Sequence, residues 1–172
     1  MDAGERTDPY GVDRWGDGYV LEMENGDLGL LNPLQPDAAP VSLPSVVASL
    51  EERGIQTPVM IRVASYLKHS IHSLNTCFTD AMETYGYTGT YRGVFPIKVN
   101  QQAQVIKRIT DYGGPYHFGL EAGSKPELVI ALSQQLSSQA LIVCNGVKDR
   151  EFIEIACAPA IWASTRLSCW KA

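Results

Sequence analysis

The chain has 172 residues, of which 45% are hydrophobic and 19% are charged. These values are typical of a packed globular protein with one ordinary domain, and they exclude a disordered or collagen-like chain. Nineteen Asp and Glu against 14 Lys and Arg give a net charge of −5, so no overall basic field exists to hold nucleic acid or anionic lipid. No apolar run approaches the roughly 20 residues that a membrane-spanning helix requires.

The four cysteines are widely spaced, without a CxxC pair, and only three histidines are present. This pattern favours neither a zinc site nor a disulfide scaffold, so we predict no metal ligands and a reducing, cytoplasmic setting. The first 19 residues carry charged side chains and no apolar core. We therefore expect no signal peptide.

The first third of the chain predicts a β-hairpin, a linker and a short helix. Asn25-Gly26 separates two apolar stretches between Tyr19 and Leu31, which indicates a hairpin with a two-residue turn. Residues 32–44 contain four prolines and form the predicted linker. A helix is expected over residues 45–54, followed by a strand over the β-branched segment 59–63.

The rest of the chain alternates between helix and strand patterns. Strands are predicted over residues 91–97, 116–121 and 140–144, and helices over 66–85, 105–112 and 149–156, with another helix after a capping box at Ser124 and Glu127. A step of about 25 residues between strands fits one strand, one helix and two short loops, the βα unit of a parallel α/β sheet. Two architectures remain open: a doubly wound sheet and a (β/α)8 barrel.

Lys98 is the first candidate for chemistry, because it directly follows a predicted strand. Folds built from βα units place their reactive groups at the C-terminal ends of parallel strands. A lysine walled by strand residues there is desolvated, which suits its amine to Schiff-base formation. The alternative is a solvated lysine on a loop.

Glu121 occupies the corresponding position on the next strand. Its carboxylate is suited to orient a cationic or nitrogen-bearing ligand. The alternative is a carboxylate at a helix start, where the partial positive charge of the helix N-terminus favours an acidic side chain.

Structural roles are expected for the other polar residues near the predicted strands. Ser124 is best explained as an N-cap, His117 as a packed strand residue, and Cys144 as a small buried residue. His69 and His72 lie three apart without a third ligand nearby, so they predict no metal site.

Three blocks of sequence around these residues resemble the biosynthetic arginine decarboxylases, which are pyridoxal-phosphate enzymes of the alanine-racemase-like barrel class. The blocks are YRGVFPIKVNQQ at 91–102, FGLEAGSKPE at 118–127 and CNGVKDRE at 144–151, and they occur in the family's order at similar spacing. The opening YGVDRWG at 10–16 is also similar. The resemblance spans roughly residues 10–156, and three long blocks in register are highly specific.

The resemblance implies a function and two site residues. Lys98 would hold pyridoxal 5'-phosphate as a Schiff base and act as the catalytic lysine, and Glu121 would lie beside the cofactor ring. The implied reaction converts the small-molecule substrate L-arginine to agmatine and CO2, at the entry to polyamine and spermidine synthesis. Dependence on Mg²⁺ and assembly into a homo-oligomer are further properties that the family implies.

The length of the chain limits how much of such an enzyme it contains. A closed barrel takes about 250 residues, whereas 114 residues run from Val59 to the end. We therefore expect a partial, TIM-like barrel with about half of the strands. The predicted domains are an N-terminal hairpin and linker over 1–44, a partial pyridoxal-phosphate-binding barrel over 45–156, and a divergent tail over 157–172 of the kind that a shifted reading frame produces.

We expect this truncated form to be inactive by itself and its last strand, over residues 140–144, to leave an unpaired edge. Two alternatives to the decarboxylase remain. One is a non-catalytic protein that binds pyridoxal phosphate. The other is a βα binding or structural domain without a cofactor, in which Lys98 is only a surface charge.

Overall fold

The computed structural model describes residues 10–158 in full and the backbone of residues 166–169. The chain divides into two compact units, one up to His69 and one from Ser70 onwards. Among the helices of these residues, none combines the length and the apolar character needed to cross a bilayer.

The first unit is built around a small antiparallel sheet. Its elements are α1 (Val12–Trp15), β1 (Val20–Glu22), β2 (Leu28–Leu30), β3 (Val41–Ser42), α2 (Leu43–Glu52) and the start of α3 (Ala64–Thr84). The strand order is β1-β2-β3, and β1 pairs with β2 from Val20 opposite Leu30 to Glu22 opposite Leu28. The short strand β3 lies inside the segment predicted as a linker.

The connection between β1 and β2 is longer than the predicted two-residue turn. The Met23 N–H donates to the Asp27 carbonyl at 2.8 Å, which closes a loop of the three residues between them. Gly26 adopts a φ of 83° in this loop, and a left-handed residue at the end of a three-residue loop is the usual partner of a type I turn. The Asn-Gly pair therefore identifies the position of the turn but not its length.

Helix α2 begins two residues before the predicted start. Ser42 is its N-cap, accepting a hydrogen bond from the Ser45 N–H at 3.2 Å, and Pro44 lies in the first turn. A proline without an N–H is tolerated there because the first helical N–H groups have no partner within the helix.

The predicted strand over residues 59–63 is wrong. This segment has no strand pairing to any residue that the structure describes, and Met60 is 73% exposed. A run of β-branched residues fits a pleated surface, but only a hydrogen-bonded neighbour makes it a strand.

The second unit contains a four-stranded parallel sheet with helices between the strands. Its elements after α3 are β4 (Val94–Pro96), α4 (Ala103–Gly113), β5 (Gly119–Ala122), α5 (Lys125–Leu132), β6 (Leu141–Cys144), α6 (Arg150–Ala156) and β7 (Arg166–Cys169), with 3-10 turns at Ile97–Val99 and Gly114–Tyr116. The strand order β4-β5-β6-β7 follows the order of the chain. This confirms a mixed α/β fold with a parallel sheet.

Two predicted features of the strands are wrong. His117 is not inside a strand as predicted, because it has a left-handed φ of 54° and β5 begins only at Gly119. The edge of β6 is not unpaired as predicted, because β7 pairs with it in parallel from Leu141 opposite Arg166 to Cys144 opposite Cys169. The last described strand thus extends the sheet beyond the predicted edge.

The core of the second unit lies between the sheet and its helices. Leu120 and Ile142 are register partners at 0% and 1% exposure, and they pack with Leu128 of α5 and Phe152 of α6. Cys144 belongs to the same cluster at 1% exposure, which confirms it as a small buried residue. This packing fixes the strands whose ends carry the candidate residues.

Candidate functional site

The predicted site residues lie at one edge of the parallel sheet. Since β4, β5 and β6 run in the same direction, their C-terminal ends meet at this edge. Pro96 of β4 is the register partner of Glu121 of β5, and Glu121 is the partner of Val143 of β6. Lys98 follows two residues after Pro96. The fold therefore places Lys98 just after β4 and Glu121 on the neighbouring strand β5.

Lys98 lies in the 3-10 turn that directly follows β4. The turn is anchored by Ile97, which is fully buried, and by a hydrogen bond from the Asn100 N–H to the Ile97 carbonyl at 3.1 Å. The Lys98 side chain is exposed and makes no hydrogen bond or ion pair with the part of the chain that the structure describes. The described residues therefore do not bury the amine in the way that the sequence predicts for a lysine walled by strand residues.

Glu121 is the opposite of Lys98 in its surroundings. Its side chain is only 6% exposed, and neither carboxylate oxygen has a hydrogen-bond partner among the described residues. It does not act as a helix-start carboxylate, because it lies within β5. Buried carboxylates are normally paired, so two orphaned acceptors at a strand end fit a residue that faces a bound, hydrogen-bond-donating group.

Glu127, a second buried glutamate, has the structural role instead. It is 7% exposed, and its Oε2 accepts a hydrogen bond from the Gly123 N–H at 2.8 Å. Ser124 is confirmed as the N-cap of α5, with its Oγ accepting from the Glu127 N–H at 3.4 Å. In a standard capping box the glutamate accepts from the N–H of the N-cap residue. Here Glu127 accepts instead from Gly123, one residue before the N-cap, and this bond fixes the turn next to Glu121.

The loops after β5 and β6 are in direct contact. The Asn145 N–H donates to the Ala122 carbonyl at 2.8 Å. A Cβ atom added to Gly146 would lie 2.2 Å from the Gly123 carbonyl oxygen, so the two backbones leave no space for a side chain. The two loops therefore pack directly against each other at the C-terminal edge of the sheet.

An ion-pair cluster ties the helices that follow these loops. The Lys125 Nζ at the start of α5 lies 2.8 Å from the Asp149 Oδ2 and also contacts the Glu151 carboxylate of α6. The hydrogen bond to Asp149, which has the larger effect, and the hydrogen bond to Glu151 raise the pKa of Lys125 above 10.5. In turn, the hydrogen bond from Lys125 lowers the pKa of Asp149 below 3.8. The sequence patterns do not reveal this cluster.

The histidines make separate structural contacts. Hydrogen bonds join the Nδ1 atoms of His69 and His72 to the hydroxyls of Tyr19 and Tyr116, at 2.9 and 2.6 Å. His117 Nδ1 lies 2.9 Å from Ser137 Oγ. Within the described ranges, no group of three or more His, Cys, Asp or Glu side chains is arranged to hold a metal ion.

Comparison with known families shows the family to which the chain belongs. The family model described as "Pyridoxal-dependent decarboxylase, pyridoxal binding domain" matches residues 70–165, more than half of the chain. The chain belongs to this family. The match includes all of β4, α4, β5, α5, β6 and α6, and it extends nine residues past Ala156, where the sequence predicts that the family pattern ends.

Individual members of the pyridoxal-dependent decarboxylases confirm the resemblance seen in the sequence. The chain is 41% identical over 147 residues to the biosynthetic arginine decarboxylase of Gloeobacter violaceus, and 42% identical over the same length to that of Prochlorococcus marinus. The crystal structure of the biosynthetic arginine decarboxylase of Campylobacter jejuni superposes on 93% of the chain with a TM-score of 0.82 and 30% identity.

The chain spans only a part of these relatives. The matches cover 86% of this chain but 22–23% of the two curated sequences, and 26% of the solved chain. The regions in common are therefore about a quarter of each relative.

Proposed function

We propose that this chain is the cofactor-binding part of a biosynthetic arginine decarboxylase, which converts L-arginine to agmatine and CO2 in polyamine synthesis. The names of the relatives support this substrate, and the family supports the cofactor. The observation that carries the proposal is that Lys98 follows β4 while the neighbouring strand β5 carries the buried and unpartnered carboxylate of Glu121. An amine after one strand and an orphaned carboxylate on the next suit a cofactor whose aldehyde reacts with the amine and whose ring lies beside the carboxylate.

In this proposal Lys98 is the catalytic residue that holds the cofactor covalently. The turn that follows β4 presents its amine at the sheet edge, where exposure allows an aldehyde to reach it. Glu121 is the second cofactor-binding residue and orients the cofactor by accepting a hydrogen bond. When bound, pyridoxal phosphate supplies an electron sink for the pair of electrons that is released as CO2 leaves.

We also propose that the second unit is about half of a TIM-like barrel. A doubly wound sheet reverses its strand order, whereas β4 to β7 follow the chain order without reversal. The predicted organisation is an N-terminal hairpin and linker over 1–44, a partial barrel over 45–156 and a tail over 157–172. The compact second unit runs from Ser70 and includes β7, which lies within the predicted tail. Since the chain spans about a quarter of its relatives, we expect it to be inactive alone.

Two further properties rest on the resemblance to arginine decarboxylases: we propose that the enzyme assembles as a homo-oligomer and requires Mg²⁺. The cysteine pattern supports a third proposed property, a cytoplasmic setting. Among the described residues, no three or more His, Cys, Asp or Glu side chains are grouped to hold a metal ion.

The proposal is tested by titrating the purified chain with pyridoxal phosphate and recording the absorbance of the bound cofactor. We expect a visible band that disappears in Lys98→Ala. Lys107→Ala is the matched control, because Lys107 is also exposed but lies on α4, away from the strand ends, and it should keep the band. An identical band in Lys98→Ala, or none in the wild type, would favour the domain in which Lys98 is only a surface charge.

A further inference from the structure

Lys125 stands at an unfavourable place for a lysine. It is the first residue of α5, directly after the N-cap Ser124. The N-terminus of a helix carries a partial positive charge and prefers acidic side chains. A cation at this position therefore needs a compensating interaction elsewhere.

The compensation comes from α6. The Lys125 ammonium contacts both Asp149, the N-cap of α6, and Glu151 in the first turn of that helix. Both carboxylates interact favourably with the partial positive charge at the N-terminus of α6. The Lys125 ammonium, which both contact, joins them to α5. The contact bridges 24 and 26 residues of sequence, and the side chain of Lys125 is only 34% exposed.

The ion pairs of Lys125 link the two loops that follow β5 and β6, next to Glu121. Gly123 and Gly146, whose backbones touch, lie two residues before Lys125 and three before Asp149. A Cβ atom placed on Gly123 would lie 3.7 Å from the Glu121 Oε1, so this carboxylate packs against the same turn. Because neither Glu121 oxygen has a hydrogen bond of its own among the described residues, packing alone sets its position.

We propose that Lys125 is a positioning residue of the cofactor site, which locks the loops after β5 and β6 together through Asp149 and Glu151 and thereby holds Glu121 in place. This inference rests on the proposed binding of pyridoxal phosphate. It assigns Lys125 no contact with the cofactor.

The test uses the whole chain and the Lys98-dependent absorbance of added pyridoxal phosphate. In Lys125→Met we expect roughly ten-fold weaker cofactor binding, at the lower end of what supporting residues contribute at metal sites. We also expect a shifted band maximum at saturating cofactor. Lys125→Arg should restore both, since arginine can bridge two carboxylates. Lys107→Met, which removes the exposed ion pair with Asp111 on α4, is the matched control and should match the wild type.

A second variant covers the case in which Lys125→Met does not fold. Asp149→Asn removes the charge partner but keeps an N-cap that can accept from the Phe152 N–H, and it should change binding and band maximum in the same direction. If Lys125→Met and Asp149→Asn lose stability but keep the wild-type band maximum, Lys125 is merely structural and the inference is wrong. The same holds if Lys125→Arg is as impaired as Lys125→Met. Absence of any Lys98-dependent band in the wild type would instead contradict the proposed function itself.

Discussion

Two glutamates of the second unit are nearly equally buried but differ in their hydrogen bonds. Glu121 is 6% exposed without a partner among the described residues, whereas Glu127 is 7% exposed and accepts from the Gly123 N–H. A buried polar group without a partner costs about 1–3 kcal/mol of stability. The missing partner of Glu121 supports its proposed ligand-facing role, whereas the hydrogen bond of Glu127 gives that residue a structural role.

Substituting each glutamate by methionine should change the free energy of unfolding in opposite directions. We expect Glu121→Met to stabilise the cofactor-free chain by about 1–3 kcal/mol, because an unpaired carboxylate is removed from the interior. Glu127→Met should destabilise it by about 1–3 kcal/mol, because the Gly123 N–H loses its acceptor. Urea unfolding measures both. Loss of stability in both variants would mean that Glu121 has a partner after all.

The contact between the loops after β5 and β6 depends on the absence of a side chain at residue 146. Gly146 has a φ of 89°, and an added Cβ would meet the Gly123 carbonyl oxygen at 2.2 Å. Gly54 has a similar φ of 77° but nothing within 4 Å of the added atom. Comparing the two separates backbone strain from steric overlap.

We expect Gly54→Ala to cost about 1–2 kcal/mol from its left-handed conformation alone, and Gly146→Ala to cost at least about 3 kcal/mol because the loops must also move apart. Thermal and urea unfolding of the two variants check this. Equal losses would show that the close approach of the loops contributes nothing.

The link between α5 and α6 should depend on pH. The pKa of Asp149 is lowered by Lys125, so its contribution to stability is present above pH 3.8 and is lost as the pH falls through the lowered value. The pKa of Lys125 is raised by the same contact, so that contribution is present below pH 10.5 and is lost as the pH rises through the raised value.

The stability difference between the wild type and Asp149→Asn should accordingly be constant near neutral pH and shrink towards zero below pH 3.8. Urea unfolding at a series of pH values measures this difference. Asp111→Asn, which removes the exposed Lys107 pair of α4, should show only a small difference at any pH. A pH-independent difference for Asp149→Asn would contradict the contact.

The predictability of each element follows from how local its signal is. The helices α3 and α4 carry apolar residues at three- and four-residue steps, and α5 carries its cap in the sequence, so all three are predictable. Strand β3 has two residues and no alternation to detect. Strand β7 is missed because Pro159 and the change in sequence after Ala156 point to a divergent tail, and its pairing with β6 is a tertiary event.

The candidate site is predictable in part for the same reason. Lys98 and Glu121 are found from their positions at strand ends and from the resemblance of the surrounding blocks. Their surroundings cannot be predicted in this way, because the exposure of Lys98 and the isolation of Glu121 depend on residues from several strands. Lys125 is missed because its partner Glu151 is 26 residues away.

At the scale of the molecule, the chain consists of two units with different sheets, one antiparallel and one parallel. The family match begins at residue 70, where the second unit also begins. The parallel unit therefore corresponds to the pyridoxal-binding family, and the relatives that extend over both units are the arginine decarboxylases.

In the parallel sheet each strand after β4 has the preceding strand of the chain as its neighbour. During synthesis on the ribosome, every new strand therefore emerges next to a template that is already formed, and none has to wait for a distant partner. The sheet can grow by one βα unit at a time, in the direction of translation.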